Sequence, residues 1–86
     1  MITKTEFTNK VVEALKDYYG KDADVTSQEV LKTNDVKTIG ITIRFNDSEA
    51  SNISPVIYME PYYQNYTGGK DFDSVIEDIV EEVEKL

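Results

Sequence analysis

The side chains with the greatest chemical potential in this sequence are carboxylates and tyrosines. Tyrosine is enriched at the centres of protein interfaces, and clustered carboxylates attract basic surfaces. We therefore predict that both sets contact a partner. The predicted partner-binding residues are Tyr58, Tyr62, Tyr63, Tyr66, Glu77, Asp78, Glu81, Glu82 and Glu84. For the tyrosines, the alternative is a structural role in the core, and for the acids it is the solvated face of a helix.

The sequence contains no histidine and no cysteine, which excludes Ser-His-Asp and Cys-His nucleophiles and the usual zinc sites. Gly68-Gly69 lacks the preceding strand and the lysine-serine pair of a phosphate-binding loop. Residues 46–49 lack the spacing and the glycine of a calcium loop. Asp71 and Asp73 are interpreted as helix-capping acids rather than a magnesium site. The sequence therefore predicts no enzyme, no metal and no cofactor.

The composition narrows the choice of partner. The chain has 86 residues, with 17 acids against nine bases and a formal charge of −8. We expect a single domain over residues 1–86. The charge argues against direct binding of nucleic acid or of an anionic membrane, and favours a basic protein surface. The absence of cysteine, of a signal peptide and of a long apolar run predicts a cytoplasmic location.

The first helix is predicted over about residues 4–19. Thr3 and Glu6 form a capping box, and Gly20 is a natural stop. Its apolar stripe recurs at three- and four-residue spacing and comprises Phe7, Val11, Ala14, Leu15 and Tyr18.

Two further helices are predicted after residue 59. Glu60-Pro61 suits a helix start, and Gly68-Gly69 suits its end. Asp71 is the expected N-cap of the last helix. The apolar stripe of that helix comprises Phe72, Val75, Ile76, Ile79, Val80, Val83 and Leu86.

Three strands are predicted between the helices. The first, Val25–Lys32, alternates poorly, and a bulge or an early end near Glu29 would reconcile this. The second is the clearest, because one face carries only large apolar residues, which are Ile39, Ile41, Ile43 and Phe45. We expect Gly40, on the other face, to leave room for a tyrosine ring. In the third, Ile57 and Met59 share one face, while Val56 and Tyr58 share the other.

These elements predict an α+β fold. Its order is a helix, a three-stranded antiparallel meander, a short helix and a C-terminal helix, with both long helices on one face of the sheet. The face that carries Ile41 and Ile43 is expected to pack against Phe7, Leu15 and Val75.

Nearly the whole chain resembles an uncharacterised family of clostridial domains of unknown function. The resemblance rests on the run from Glu29 to Asn34, on the run from Asn52 to Tyr63, and on Tyr66 and Gly69. In the family the pattern is asparagine-isoleucine-x-proline-x-isoleucine-tyrosine-leucine-glutamate-x-tyrosine-tyrosine, and Met59 here replaces the leucine. Because members are often longer, the resemblance implies that this chain matches their opening domain. It implies no activity.

In architecture the chain is also similar to some small acidic anti-CRISPR proteins, which occupy the DNA-binding groove of a nuclease. No residue of this chain aligns with theirs, so the similarity is one of fold type. It implies a nucleic-acid-mimicking inhibitor that binds the basic surface of a nucleic-acid-binding enzyme. The alternative is a structural or scaffold domain at the start of a longer bacterial protein, contacting partners through its tyrosines. The sequence leaves the oligomeric state open.

Overall fold

A computed structural model describes residues 2–31, 37–46, 52–53 and 56–85. Its elements confirm the predicted α+β fold. In chain order they are α1 (Lys4–Tyr19), a 3₁₀ turn (Gly20–Asp22), β1 (Ala23–Leu31), β2 (Lys37–Phe45), β3 (Asn52–Ile53), β4 (Ile57–Tyr58), α2 (Glu60–Thr67) and α3 (Phe72–Glu84). None of the helices in these ranges has the length and apolar character needed to cross a membrane.

Helix α1 begins and ends where its sequence predicts. The Thr3 hydroxyl accepts the Glu6 N–H at 3.1 Å, and the Glu6 carboxylate accepts the Thr3 N–H at 3.2 Å. This reciprocal pair satisfies two backbone donors that a helix start otherwise leaves free. At the other end, Gly20 has a φ of 60°, a conformation that glycine adopts without steric strain.

The sheet is antiparallel, and β2 lies at its centre. Strand β1 pairs with β2 residue for residue, from Ala23 opposite Phe45 to Leu31 opposite Lys37. The expected bulge or early strand end near Glu29 is therefore wrong. Regular alternation does not bury the Glu29 carboxylate, because Glu29 is exposed. No bulge is therefore needed to move its side chain to the other face of the sheet.

Strands β3 and β4 share the other side of β2. Arg44 pairs with Ile53 in β3, whereas Gly40 pairs with Tyr58 in β4. The third predicted strand is thus split into two short ones. Pro55 lies between them, outside the described residues, as do Leu86 and Lys32 of the predicted elements.

One core lies between the sheet and the long helices. Ile41 and Ile43 are fully buried, which confirms the predicted face of β2, while Ile39 and Phe45 near the strand ends are partly buried. Ile57 and Met59, which share one face of the third predicted strand, are also buried. Among the described residues, the buried apolar set is Phe7, Val11, Leu15, Ala23, Val25, Ile41, Ile43, Ile57, Met59, Val75, Ile79, Val80 and Val83.

Gly40 is approached by a valine, so the expectation of a tyrosine ring there is wrong. A Cβ atom on Gly40 would lie 2.3 Å from Cγ1 of Val56. Val56 shares a face with Tyr58, and Tyr58 is the cross-strand partner of Gly40. The valine, two residues before Tyr58 along the chain, therefore occupies the space that the missing side chain leaves.

Candidate protein-binding site

Helix α3 positions the predicted acidic residues. Asp71 is its N-cap residue, as predicted, although its side chain makes no capping hydrogen bond. The buried side chains of α3 are Val75, Ile79, Val80 and Val83. Because this stripe faces the core, it fixes the rotation of the helix and turns the carboxylates outward.

The structure divides the five predicted acids between two sides of α3. Glu77, Glu81 and Glu84 line a groove beside the end of α1, and all three are exposed. Asp78 and Glu82 lie beside α2, where both interact with Tyr62. From the rise of an α-helix, Glu77 and Glu81 are separated by about 6 Å along the axis, and Glu81 and Glu84 by about 4.5 Å.

The groove beside α1 has an apolar floor and an acidic rim. Ile76 and Val80 supply the apolar lining, and the exposed ring of Tyr18 stands opposite the carboxylates. Its volume is about 450 Å³. An aromatic face, an aliphatic floor and carboxylates together suit a long cationic side chain, whose stem is apolar and whose end is charged. We call this feature the α3 groove.

Tyr18 was missed as a functional candidate because its spacing places it in the apolar stripe of α1. That assignment is wrong, since Tyr18 is 58% exposed. Its neighbour Tyr19 packs against Phe45 instead, with ring centroids 5.4 Å apart and planes at 85°. Two consecutive residues of a helix point in directions about 100° apart, so only one of these rings enters the core.

Burial and nearby carboxylates perturb two tyrosines around α3. Burial raises the pKa of Tyr19, and the charge of Glu84 and the neighbouring Tyr18 raise it further. Burial likewise raises the pKa of Tyr62, with smaller effects from Glu82 and Asp78. Both hydroxyls therefore stay protonated well beyond neutral pH. Neither is suited to act as a base.

Asp78 has a cationic neighbour. It forms an ion pair with Lys70, and both side chains are partly exposed. Such a pair contributes little to stability, but it neutralises one carboxylate on the α2 side. The negative charge available to a partner is accordingly greater at the α3 groove.

The four tyrosines of the predicted binding set do not converge on one surface. Tyr63 and Tyr66 pack on Phe7, with ring centroids 5.5 and 5.4 Å from it, and both are partly buried. Tyr62 is also partly buried and faces α3. Tyr58 is 37% exposed and lies on the opposite face of the sheet. The structure thus brings three of the four together and separates Tyr58 from them.

Tyr63 also ties α2 to the start of the chain. Its hydroxyl donates to the carbonyl of Ile2 at 2.9 Å. Nearby, Lys4 forms an ion pair with Glu60 and lies 6.0 Å from the centre of the Tyr63 ring. These contacts give Tyr63 a structural function in addition to any binding function.

Within the described ranges, no group of three or more acidic, histidine or cysteine side chains could hold a metal ion. Residues 46–49 of the calcium-loop comparison fall mostly outside those ranges. The chemistry that the described side chains offer at the α3 groove is electrostatic and aromatic recognition.

The comparisons with known proteins give one match. A family model described as a family of unknown function (DUF5688) matches residues 4–86. The match starts at the first residue of α1 and covers every element described above. No curated protein matches the chain, and no solved structure does.

Proposed function

The chain belongs to the DUF5688 family of unknown function, and we propose that it is a non-enzymatic protein-binding domain that docks its α3 groove on a basic protein surface. One observation carries the proposal. Glu77, Glu81 and Glu84 share a groove with the exposed ring of Tyr18 over an apolar floor. An ordinary solvated helix face offers carboxylates without an aromatic wall beside them.

An arginine of the partner fits the groove best. Its aliphatic stem can cover Ile76 and Val80, while its guanidinium lies over the Tyr18 ring and donates hydrogen bonds to one of the carboxylates. Guanidinium combines bidentate bonding to carboxylates with stacking on aromatic rings, which lysine does not do. The formal charge of −8 would also steer a basic partner towards the domain and raise the rate of association.

The more specific form of the proposal is a nucleic-acid mimic. The row of carboxylates on α3 would stand in for phosphates in the basic groove of a nucleic-acid-binding enzyme and inhibit it. The charge, the spacing of the row along one helix and the fold-type similarity to small acidic anti-CRISPR proteins support this form. It places the domain in the cytoplasm, where such enzymes work.

The second candidate function is a scaffold domain that contacts its partner through tyrosine. Tyr58 supports it, because this ring is exposed on the sheet face that the long helices leave uncovered. Under this candidate, the tyrosine-containing segment that resembles clostridial domains forms part of the contact. The two candidates use opposite faces of the molecule, so substitutions distinguish them.

The test begins with capture of partners from a bacterial lysate by wild-type protein, followed by titration of the purified partner. Reversal of Glu77, Glu81 and Glu84 to lysine should weaken binding at least tenfold, because three attractions become repulsions. Tyr18→Ala should also weaken it. The matched control reverses Glu13, Asp22 and Asp73, three exposed acids outside the groove, and so has the same net charge.

The proposal requires the groove variant to lose more affinity than the control, and the loss to shrink as salt is raised. Competing DNA should displace the domain if it mimics nucleic acid. Equal affinities for the two charge variants would contradict the α3 groove as the contact. If Tyr58→Ala loses binding while the α3 groove variants keep it, the scaffold candidate is favoured.

A further inference from the structure

The outer edge of β1 is a second surface, independent of the α3 groove. Strand β1 is nine residues long and, within the described ranges, pairs only with β2. Native edge strands are commonly protected by proline, lysine or other charged side chains, a bulge or short length. Ala23–Leu31 contains no proline or lysine, its pairing with β2 is regular throughout, and its two charged residues are Asp24 and Glu29. The edge therefore offers a template for another strand that can match these two acids.

The direction of the backbone groups along this edge follows from one hydrogen bond. Met59 donates its N–H to the carbonyl of Ile39 at 2.9 Å, so Ile39 turns its polar groups away from β1. Glu29 lies opposite Ile39, and in an antiparallel ladder such a pair is not hydrogen-bonded. Glu29 consequently directs its N–H and carbonyl outward, and by alternation Val25 and Ser27 do the same.

Open space flanks the edge on the side of α1. One groove there is lined by residues that include Asn9, Ser27 and Glu29, and has a volume of about 260 Å³. A second lies nearer the end of α1, where Lys16 and Val25 are among its lining residues. Neither groove is lined by a residue of α3, so the most acidic helix lies away from this edge.

We propose that a second copy of this chain pairs with β1 in antiparallel orientation, about a twofold axis at Ser27. Ser27 then faces its own equivalent, and Val25 faces Glu29 of the second copy. These residues all direct their backbone groups outward, so each facing pair can exchange two hydrogen bonds. The two sheets become one continuous sheet, and the contact is the same on both sides, as twofold symmetry requires.

The charges near the junction favour this register, and they favour a second copy of this chain over an unrelated strand. Glu29 shares the face of Val25 that is turned to α1, so Glu29 of the second copy comes beside Lys16. Symmetry repeats that ion pair. Asp24, the other acid of the strand, faces Val30 of the second copy, and no like charges stand opposite each other. A strand without a matching cation would leave Glu29 unpaired at the junction.

The experiment measures mass by sedimentation equilibrium over a concentration series of wild-type protein and edge variants. Wild type should show a reversible monomer–dimer equilibrium. Lys16→Glu and Glu29→Lys should each raise the dimer dissociation constant about tenfold or more, because two attractions become two repulsions. An equimolar mixture of the two variants should restore dimers, since opposite charges then meet at both places across the junction.

Two further variants separate this edge from other contacts. Ser27→Pro removes the central outward N–H and should abolish the dimer, with folding checked by circular dichroism. Glu81→Lys gives the same charge change as Glu29→Lys on the distant α3 and should not weaken the dimer. A dimer unaffected by the edge variants would overturn the proposal. A wild-type chain that stays monomeric would also overturn it and leave the edge to an extended strand of another protein.

Discussion

The two consecutive tyrosines at the end of α1 have opposite environments. The ring of Tyr18 is exposed in the α3 groove, whereas the ring of Tyr19 packs between Tyr18 and Phe45. The hydroxyl oxygen of Tyr19 is buried and has no hydrogen-bond partner within the described part of the chain. A polar group that loses water without gaining a partner destabilises the folded state.

Tyr19→Phe should therefore stabilise the domain. Removing a buried, unpartnered hydroxyl while keeping the ring should raise the free energy of unfolding by about 1 kcal/mol. Urea denaturation measures the change. Tyr18→Phe is the matched control, and it should change stability by less than about 0.5 kcal/mol because that ring is exposed. A clear loss of stability in Tyr19→Phe would mean that the hydroxyl has a partner.

Tyr19→Phe should also change how the stability of the domain depends on pH. The pKa of Tyr19 is raised above its ordinary value of 10.0 in the folded state, first by burial and then by Glu84. The folded state thus holds this proton more tightly than the unfolded state. Stability from this group is constant below about pH 10 and falls as pH rises above it. Tyr19→Phe should make the loss of stability above pH 10 less steep.

The sequence does contain one sign that a tyrosine at the end of α1 is exposed. Tyr18 and Tyr19 are adjacent, so they cannot both lie in a narrow apolar stripe. The spacing of Val11 and Leu15 favours Tyr18 for the stripe, although the structure buries Tyr19. The contact that decides between them is with Phe45, which is 26 residues further along the chain. Local periodicity contains no information about such a distant partner.

Within the sheet, one close contact between β2 and the segment before β4 constrains the sequence. Gly40 in β2 leaves the space that Cγ1 of Val56 occupies. Valine is stiff about its first side-chain torsion, so it has little freedom to move aside. The absence of a side chain at Gly40 therefore allows the segment before β4 to lie close to β2.

Gly40→Ala should destabilise the domain by about 1–3 kcal/mol, the range found when well-packed sites are overfilled. The double variant with Val56→Ala should recover most of the loss that the contact causes. Thermal and urea denaturation of the four proteins of this cycle measure the coupling between the two positions. Equal losses with and without Val56→Ala would show that the contact is not the cause.

The helices could be predicted from sequence more fully than the strands. The bounds of α1 follow from Thr3, Glu6 and Gly20, which act within a few residues of the chain. The central face of β2 follows from its alternation. The regular register of β1 and the split of the third strand depend on pairing with β2, a long-range interaction that alternation alone does not define. The α3 groove likewise needs α1 and α3 side by side.

Over the full chain, negative charge exceeds positive charge by eight. Within α3, Asp73, Glu77 and Glu81 are like charges that follow one another at intervals of one turn. The ion pairs Lys70–Asp78 and Lys4–Glu60 are partly exposed and offset little of this repulsion. Repulsion between like charges consequently destabilises the folded state, and dissolved ions screen this repulsion.

Stability should therefore increase with salt. Raising the ionic strength from about 0.01 to 0.15 M shortens the screening length from about 30 to 8 Å. We expect the free energy of unfolding to rise by about 0.5 kcal/mol, a sum of a few helix-pair repulsions. Urea denaturation at the two salt concentrations measures it, with Glu81→Gln expected to respond less. A fall in stability would show that attractive pairs dominate instead.

The aromatic packing around Phe7 bears on when this chain can fold during its synthesis. Phe7 contacts Tyr63, Tyr66 and Phe72, and the last of these follows it by 65 residues (72 − 7). At about 5–20 residues per second, the ribosome needs roughly 3–13 s to add them. Until Tyr63 is made, the ring of Phe7 lacks all three of these aromatic partners, and the cluster is complete only when α3 begins. The nascent chain thus leaves part of this aromatic side chain accessible to chaperones until synthesis of α3 begins.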